Sequence, residues 1–123
     1  MEAEYGRQET PFYEHLGEIP DSPYSLSKVM ATHAVLLHGE YTDIEVCVLR
    51  LAAVFGPKQG FGMLVPNLIR TGIEGKDFDM NDGKQFRDLI YVDDLISGIL
   101  SAGFARGVSG NIINLGSGGY DIR

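Results

Sequence analysis

The sequence predicts an α/β fold built on a parallel sheet. Two observations carry this prediction. Helical patterns and short apolar segments alternate in the order helix, strand, helix, short strands, helix, strand. The longest apolar segment, Ile44–Ala53, is interrupted only by Glu45 and Arg50, as in a strand buried on both faces. The length of 123 residues allows one domain, whose folding buries roughly two thirds of the unfolded chain's surface.

Each element follows from its local chemistry. Residues 1–22 read as a polar loop, broken by Pro11, Gly17 and Pro20 and kept wet by Glu9, Glu14 and Glu18. Ser22 can cap a helix and Pro23 suits its first position. That helix is predicted to run to about His38 and stop at Gly39, with Val29, Met30, His33, Leu36 and Leu37 as its apolar stripe. The strand over Ile44–Ala53 ends at Phe55-Gly56-Pro57, and Gly60 and Gly62 mark a loop. A second helix is predicted over Met63–Gly72, with Leu64, Leu68 and Ile69 apolar and Pro66 near its start. Phe78-Asp79-Met80 is a candidate short strand, and Asn81-Asp82-Gly83 a turn. Phe86–Tyr91 is another short strand. Asp93 or Asp94 then caps a helix to about Ala105, with Leu95, Ile99, Leu100 and Ala102 inward. A last strand covers Asn111–Leu115, before Gly116-Ser117-Gly118-Gly119.

Composition excludes several function classes. Ten Lys and Arg against 17 Asp and Glu give a formal charge of −7, which opposes binding to a phosphate backbone. The single Cys47 excludes an internal disulfide and a cysteine cluster for zinc, and its apolar setting reads as a buried small hydrophobe. His15, His33 and His38 are too scattered for a metal site. No run approaches the ~20 apolar residues of a membrane span, and Met1-Glu2-Ala3-Glu4 lacks a signal-peptide pattern. We therefore expect a cytoplasmic protein without nucleic-acid or membrane partners.

The candidate chemistry lies in Pro23-Tyr24-Ser25-Leu26-Ser27-Lys28. Tyr24 and Lys28 are one helical turn apart and share a face. A neighbouring ammonium favours phenolate, so such a tyrosine can exchange a proton with a substrate oxygen.

Four motifs follow one another: Tyr24-x-x-x-Lys28 after Pro23, Arg50-Leu51-x-x-Val54-Phe55-Gly56-Pro57, Arg87-Asp88-x-x-Tyr91-Val92-x-Asp94, and Asn114-x-Gly116-Ser117-Gly118. Together they resemble the later part of the extended short-chain dehydrogenase/reductases, in the NAD-dependent epimerase/dehydratase branch that acts on nucleotide sugars. The resemblance covers essentially the whole chain. It implies a partial Rossmann-like sheet, with a substrate-binding segment at about 57–90 and with the N-terminal dinucleotide half lying outside these residues. It also implies NAD or NADP as cofactor, a nucleotide-sugar substrate and a homodimer in the intact protein. Tyr24 would be the acid/base and Lys28 would hold the nicotinamide ribose. Leu51 and Val54 would lie against the cofactor, and Ala53, Val65 and Arg87 against the substrate. Arg87 would clamp the diphosphate with its planar fork.

From the residues alone, Arg50 reads as a strand-end charge paired with Glu45 or Asp43. Arg87 has a surface pair with Asp88 as its alternative, and Asp94 reads as a helix cap. Three departures from the family pattern stand out. The glycine-rich pyrophosphate loop is absent, so the chain by itself is expected to bind NAD weakly. Met1 occupies the register of the catalytic serine or threonine, and Glu2-Ala3 that of the dehydratases' Asp-Glu pair. Ala53 stands where many relatives carry a substrate-reading asparagine, and Phe55 replaces a tyrosine. The implied reaction is epimerisation or 4-keto reduction of a nucleotide sugar. The alternatives are 4,6-dehydration and a truncated, non-catalytic chain or binding module.

Overall fold

A computed structural model describes residues 1–79 and 86–121. It contains α1 (Glu2–Tyr5), α2 (Pro23–Glu40), β1 (Val48–Leu51), β2 (Ala53–Phe55) and α3 (Leu64–Ile73), followed by β3 (Phe86–Arg87), β4 (Leu89–Tyr91), α4 (Val92–Phe104), β5 (Ile112–Leu115) and β6 (Tyr120–Asp121). The fold is α/β, and its main strand pairs are parallel. β1 runs beside β5, and β2 beside β4. Both parallel pairs need a crossover, which α3 helps to supply for one and α4 for the other. β3 and β6 add a short antiparallel pair.

The predicted strand over Ile44–Ala53 begins later, at Val48, and divides at Ala52. The division is a change of partner. The Ala52 N–H donates to the Leu115 carbonyl at 2.9 Å, and the Ala53 N–H to the Asp88 carbonyl at 3.0 Å. One extended stretch thus serves β5 with its first half and β4 with its second. Its burial also differs from expectation. Val48, Leu49 and Leu51 are half-buried, and the most buried residue of β1 is Arg50.

The predicted strand at Phe86–Tyr91 is likewise split, at Asp88. The Asp88 carboxylate accepts the Ser117 N–H at 2.8 Å. A Cβ at Gly116 would strike that same carboxylate, so this close approach requires glycine. Phe78 and Asp79 are not in a strand, and Met80 and the Asn81–Gly83 turn lie outside the described residues.

Helix α2 starts where the sequence puts it. The Ser22 Oγ accepts the Ser25 N–H at 3.1 Å, and Pro23 takes the first turn. Its end is later than predicted, because Gly39 stays helical and packs directly on Val46. The buried face also differs from the predicted stripe. Ser25 and Thr32 are buried and Val29 and Leu36 half-buried, whereas Met30, His33 and Leu37 face outward.

Residues 1–22 are not entirely loop. α1 forms one turn, and its Glu4 and Tyr5 are buried. Gly6 ends it at φ 66°, where a Cβ would run into the Ile19 carbonyl. Left-handed backbone costs a substituted residue roughly 1–2 kcal/mol before any clash. Gly6→Ala is expected to lower the unfolding free energy by at least about 2 kcal/mol, read from the urea midpoint.

Helix α3 matches its predicted span within a residue, but Leu68 and Ile69 are exposed. Helix α4 begins at Val92, with Tyr91 as its cap residue and no side-chain cap. Asp93 and Asp94 therefore do not cap it; they sit in the first turn, where the helix dipole favours a carboxylate. Of its predicted inward residues, Leu95 is buried and Ala102 half-buried, while Ile99 and Leu100 are exposed. The apolar core is small: Ala52, Ile90 and Leu95, with Met1, Leu51, Val54 and Leu115 packed against them.

Candidate functional site

In open α/β sheets, ligands bind beyond the carboxyl ends of the strands. A cavity of about 430 Å³ lies there, lined by Leu51–Ala53 after β1, Asn114 and Gly116 at the end of β5, and Met1–Ala3, Thr10–Phe12 and Asp88. A second cavity, of about 130 Å³, is lined by Glu2, Ala53, Val54, Val65 and Arg87 among others. Glu2 and Ala53 line both, so the two cavities share a wall.

Four of the residues singled out in the sequence thus meet in the smaller cavity: Ala53, Val54, Val65 and Arg87. Leu51 lies in the larger one, where its carbonyl accepts the Met1 amino group at 2.6 Å. Tyr24 and Lys28 come together as their spacing predicts, with the Lys28 Nζ 5.2 Å from the Tyr24 ring centroid. They line neither of these cavities, and Tyr24 is 64% exposed. Arg87 does not pair with Asp88. Its Nη1 lies 3.1 Å from Glu2 Oε2, while Asp88 holds the Ser117 backbone.

The loop between α1 and α2 is fastened over the larger cavity by aromatic and amide contacts. The Tyr5 ring stacks on Phe12 at 5.0 Å. The Tyr5 hydroxyl donates to Asn114 Oδ1 at 2.9 Å, and Asn114 Nδ2 donates to the Phe12 carbonyl at 3.1 Å. The Asn114 N–H donates to Glu14 at 2.8 Å. These bonds run from β5 to the loop, so the cavity wall is fixed by the sheet itself.

Beneath the cleft lies a buried charge network. Arg50, 1% exposed, contacts Glu4 Oε1 through Nε at 3.2 Å and Glu18 through Nη2. Its guanidinium lies over the Tyr5 ring, 4.6 Å from the centroid. Glu4 Oε1 also accepts from Thr32 Oγ1 at 2.7 Å, which ties α2 to β1 through α1. Arg50 is therefore not a strand-end charge paired with Glu45 or Asp43. It points into the molecule, toward carboxylates that the sequence places in the polar N-terminal segment.

Desolvation opposes the charge on Arg50, but Glu18 and Glu4 help outweigh it and hold its pKa above the ordinary value. Burial alone would raise the Glu18 pKa; the hydrogen bond from Arg50 reverses this and holds it below the usual carboxylate value. Glu14 is also held low, chiefly by the Asn114 N–H. A depressed carboxylate pKa stabilises the fold above the unfolded value, about 4.3, and that stability is lost as pH falls through the folded pKa. The urea midpoint is therefore expected to fall below about pH 4.3, and Glu18→Gln to flatten part of that slope. An identical slope in Glu18→Gln would show that Glu18 does not carry it.

Sequence reasoning missed Glu4 and Glu18 as partners of Arg50, Thr32 as the donor to Glu4, and Glu2 as the partner of Arg87. One signal was present: Tyr5 and Phe12 are large aromatics within an otherwise polar stretch, and such residues seek cover. Among the described residues no cluster of His, Cys, Asp or Glu could hold a metal ion, and no helix is long and apolar enough to cross a membrane.

The chain is 34% identical over 100 residues to a dTDP-glucose 4,6-dehydratase from Streptomyces griseus, a match covering 80% of this chain and 30% of that protein. It is 31% identical over 116 residues to a UDP-glucuronate 4-epimerase from Thermodesulfobacterium geofontis, covering 93% of this chain and 35% of that one. Among solved structures, a UDP-glucuronic acid 4-epimerase from Bacillus cereus, in complex with UDP-glucuronic acid and NAD, superposes with a TM-score of 0.83 at 32% identity. That superposition covers 98% of this chain and 39% of the epimerase. The chain spans about a third of the length of the curated relatives it matches. The pattern of the NAD dependent epimerase/dehydratase family matches residues 2–116, and the chain belongs to that family.

Proposed function

We propose that this chain forms the substrate-side part of an NAD-dependent nucleotide-sugar epimerase or 4-ketoreductase. The observation that carries the reading is the convergence of Ala53, Val54, Val65 and Arg87 on one cavity that adjoins the cavity at the strand ends. Arg87 offers a guanidinium fork suited to phosphate oxygens. Tyr24 moves the proton at the sugar oxygen, and Lys28, one turn on, holds the ribose. The exposed Tyr24–Lys28 face suits the nicotinamide–ribose end of a dinucleotide. No glycine-rich strand–turn–helix is present in the sequence for the pyrophosphate. When bound, NAD supplies reversible hydride acceptance at the sugar carbon.

Epimerisation is preferred to 4,6-dehydration because Ala3 occupies the register of the second dehydratase carboxylate, and an alanine cannot move a proton. Homodimerisation through α2 is part of the reading. Leu26, Met30 and Leu37 form an outward apolar row at helical spacing, between 48% and 64% exposed.

The test is turnover of UDP- and dTDP-hexoses with NAD by the polypeptide that carries this chain. Mass-neutral products, or two-electron-reduced ones when a 4-keto sugar and reduced cofactor are supplied, support the reading. A 4-keto-6-deoxy product, lighter by one water, replaces it with the dehydratase. No turnover and no UDP binding would leave the non-catalytic chain.

A further inference from the structure

Arg87, the cation assigned to the phosphate in the proposed function, already has an anion. Its Nη1 lies 3.1 Å from Glu2 Oε2 and 3.3 Å from Oε1, so both carboxylate oxygens face the guanidinium. The pair is open to solvent, with side chains 42% and 58% exposed. A ligand can therefore reach it, and the exchange of one anion for another costs little desolvation. Glu2 is also the residue, with Ala53, that lines both cavities. A carboxylate released from Arg87 stays in the wall of the cleft. Other negative charge is close by, since Asp88 lines the larger cavity, and the chain's formal charge is −7.

We propose that Glu2 is an internal competitor for Arg87, an affinity-setting residue that a ligand's phosphate must displace. This rests on the reading of Arg87 as the phosphate cation. An arriving phosphate loses the attraction that Glu2 already uses, and then meets the displaced carboxylate as a like charge. Both effects weaken anionic ligands selectively and leave uncharged ones alone, so Glu2 sets how much binding energy the phosphate end contributes. Removing its charge while keeping its shape frees the guanidinium.

The experiment is titration of the polypeptide that carries this chain with UDP by calorimetry at low salt. It is run on wild type, Glu2→Gln, Arg87→Ala and the double variant, each with its circular dichroism compared. Glu2→Gln is expected to tighten UDP about threefold to tenfold, an effect that shrinks as salt rises and vanishes in the Arg87→Ala background. Glu40→Gln, a charge change at the far end of α2, is expected to leave UDP unchanged. If Arg87→Ala weakens UDP but Glu2→Gln does not tighten it, the competitor is overturned while the phosphate reading stands. If Arg87→Ala has no effect, the phosphate reading falls and this inference with it. Equal tightening with and without Arg87, or no UDP binding by either wild type or Glu2→Gln, also overturns it.

Discussion

Replacing Arg50 with methionine is expected to lower the unfolding free energy by about 3–5 kcal/mol, read as a lower urea midpoint at unchanged slope. The size follows from what stays behind. Methionine fills much of the same volume, so the loss is not chiefly a cavity. Glu4, 7% exposed, and Glu18 would lose the cation that both contact, and an uncompensated buried charge is the costly outcome of breaking such a network. Glu4 keeps only the bond from Thr32. The prediction has an internal check. If stranded charge is the cause, adding Glu4→Gln and Glu18→Gln to Arg50→Met should recover part of the loss, although each further change on its own removes a native contact. Arg50→Lys keeps the charge but not the fork that reaches two carboxylates, so it should fall between. A domain of this size has only about 5–15 kcal/mol in hand, so a change of this size would be plain in any denaturation curve. An Arg50→Met protein within about 0.5 kcal/mol of wild type would mean that the network contributes nothing.

What the sequence could reveal depended on how local the cause was. Helix α2 was legible at its start because Ser22 and Pro23 act within four residues of one another, and the Tyr24–Lys28 pairing because helical spacing alone brings the two together. The β1–β2 stretch was legible as extended chain. Its division at Ala52 was not, because that depends on which strand carbonyl each N–H meets, Leu115 for one and Asp88 for the next. The buried face of α2 was misjudged for a similar reason. Met30 and Leu37 are more apolar than Thr32, yet Thr32 faces the body, because the buried Glu4 carboxylate there accepts its hydroxyl. Hydrophobic periodicity cannot find a face selected by a polar partner 28 residues away. Of the candidate site, the grouping of Ala53, Val65 and Arg87 came from resemblance rather than from spacing. The occupation of Arg87 by Glu2, across 85 residues, came from neither. In the proposed function that pair bears on the reaction as well as on binding, since what holds the phosphate end fixes where the sugar lies relative to Tyr24.

Tyr24→Phe is expected to lower kcat by about 10²–10⁴-fold in the polypeptide that carries this chain, assayed with NAD and a nucleotide sugar, with KM little changed. The split between the two constants is the informative part. Phenylalanine keeps the ring over which the Lys28 ammonium sits at 5.2 Å and leaves the Ser22 cap, which bonds Ser25 rather than Tyr24, untouched. The ring is 64% exposed, so its hydroxyl is not holding the fold together, and the stability of Tyr24→Phe should stay within about 0.5 kcal/mol of wild type. What the substitution removes is one proton-transferring oxygen. If that oxygen acts in the transition state only, kcat and kcat/KM fall together. If Tyr24 merely packs against the ligand, phenylalanine will substitute for it and kcat will remain near wild type, which would end its assignment as the acid/base. Lys28→Met separates the partner's role. Loss of a lysine that holds the ribose should raise the NAD requirement, whereas loss of one that only polarises Tyr24 should shift the pH profile of kcat and leave the NAD requirement alone.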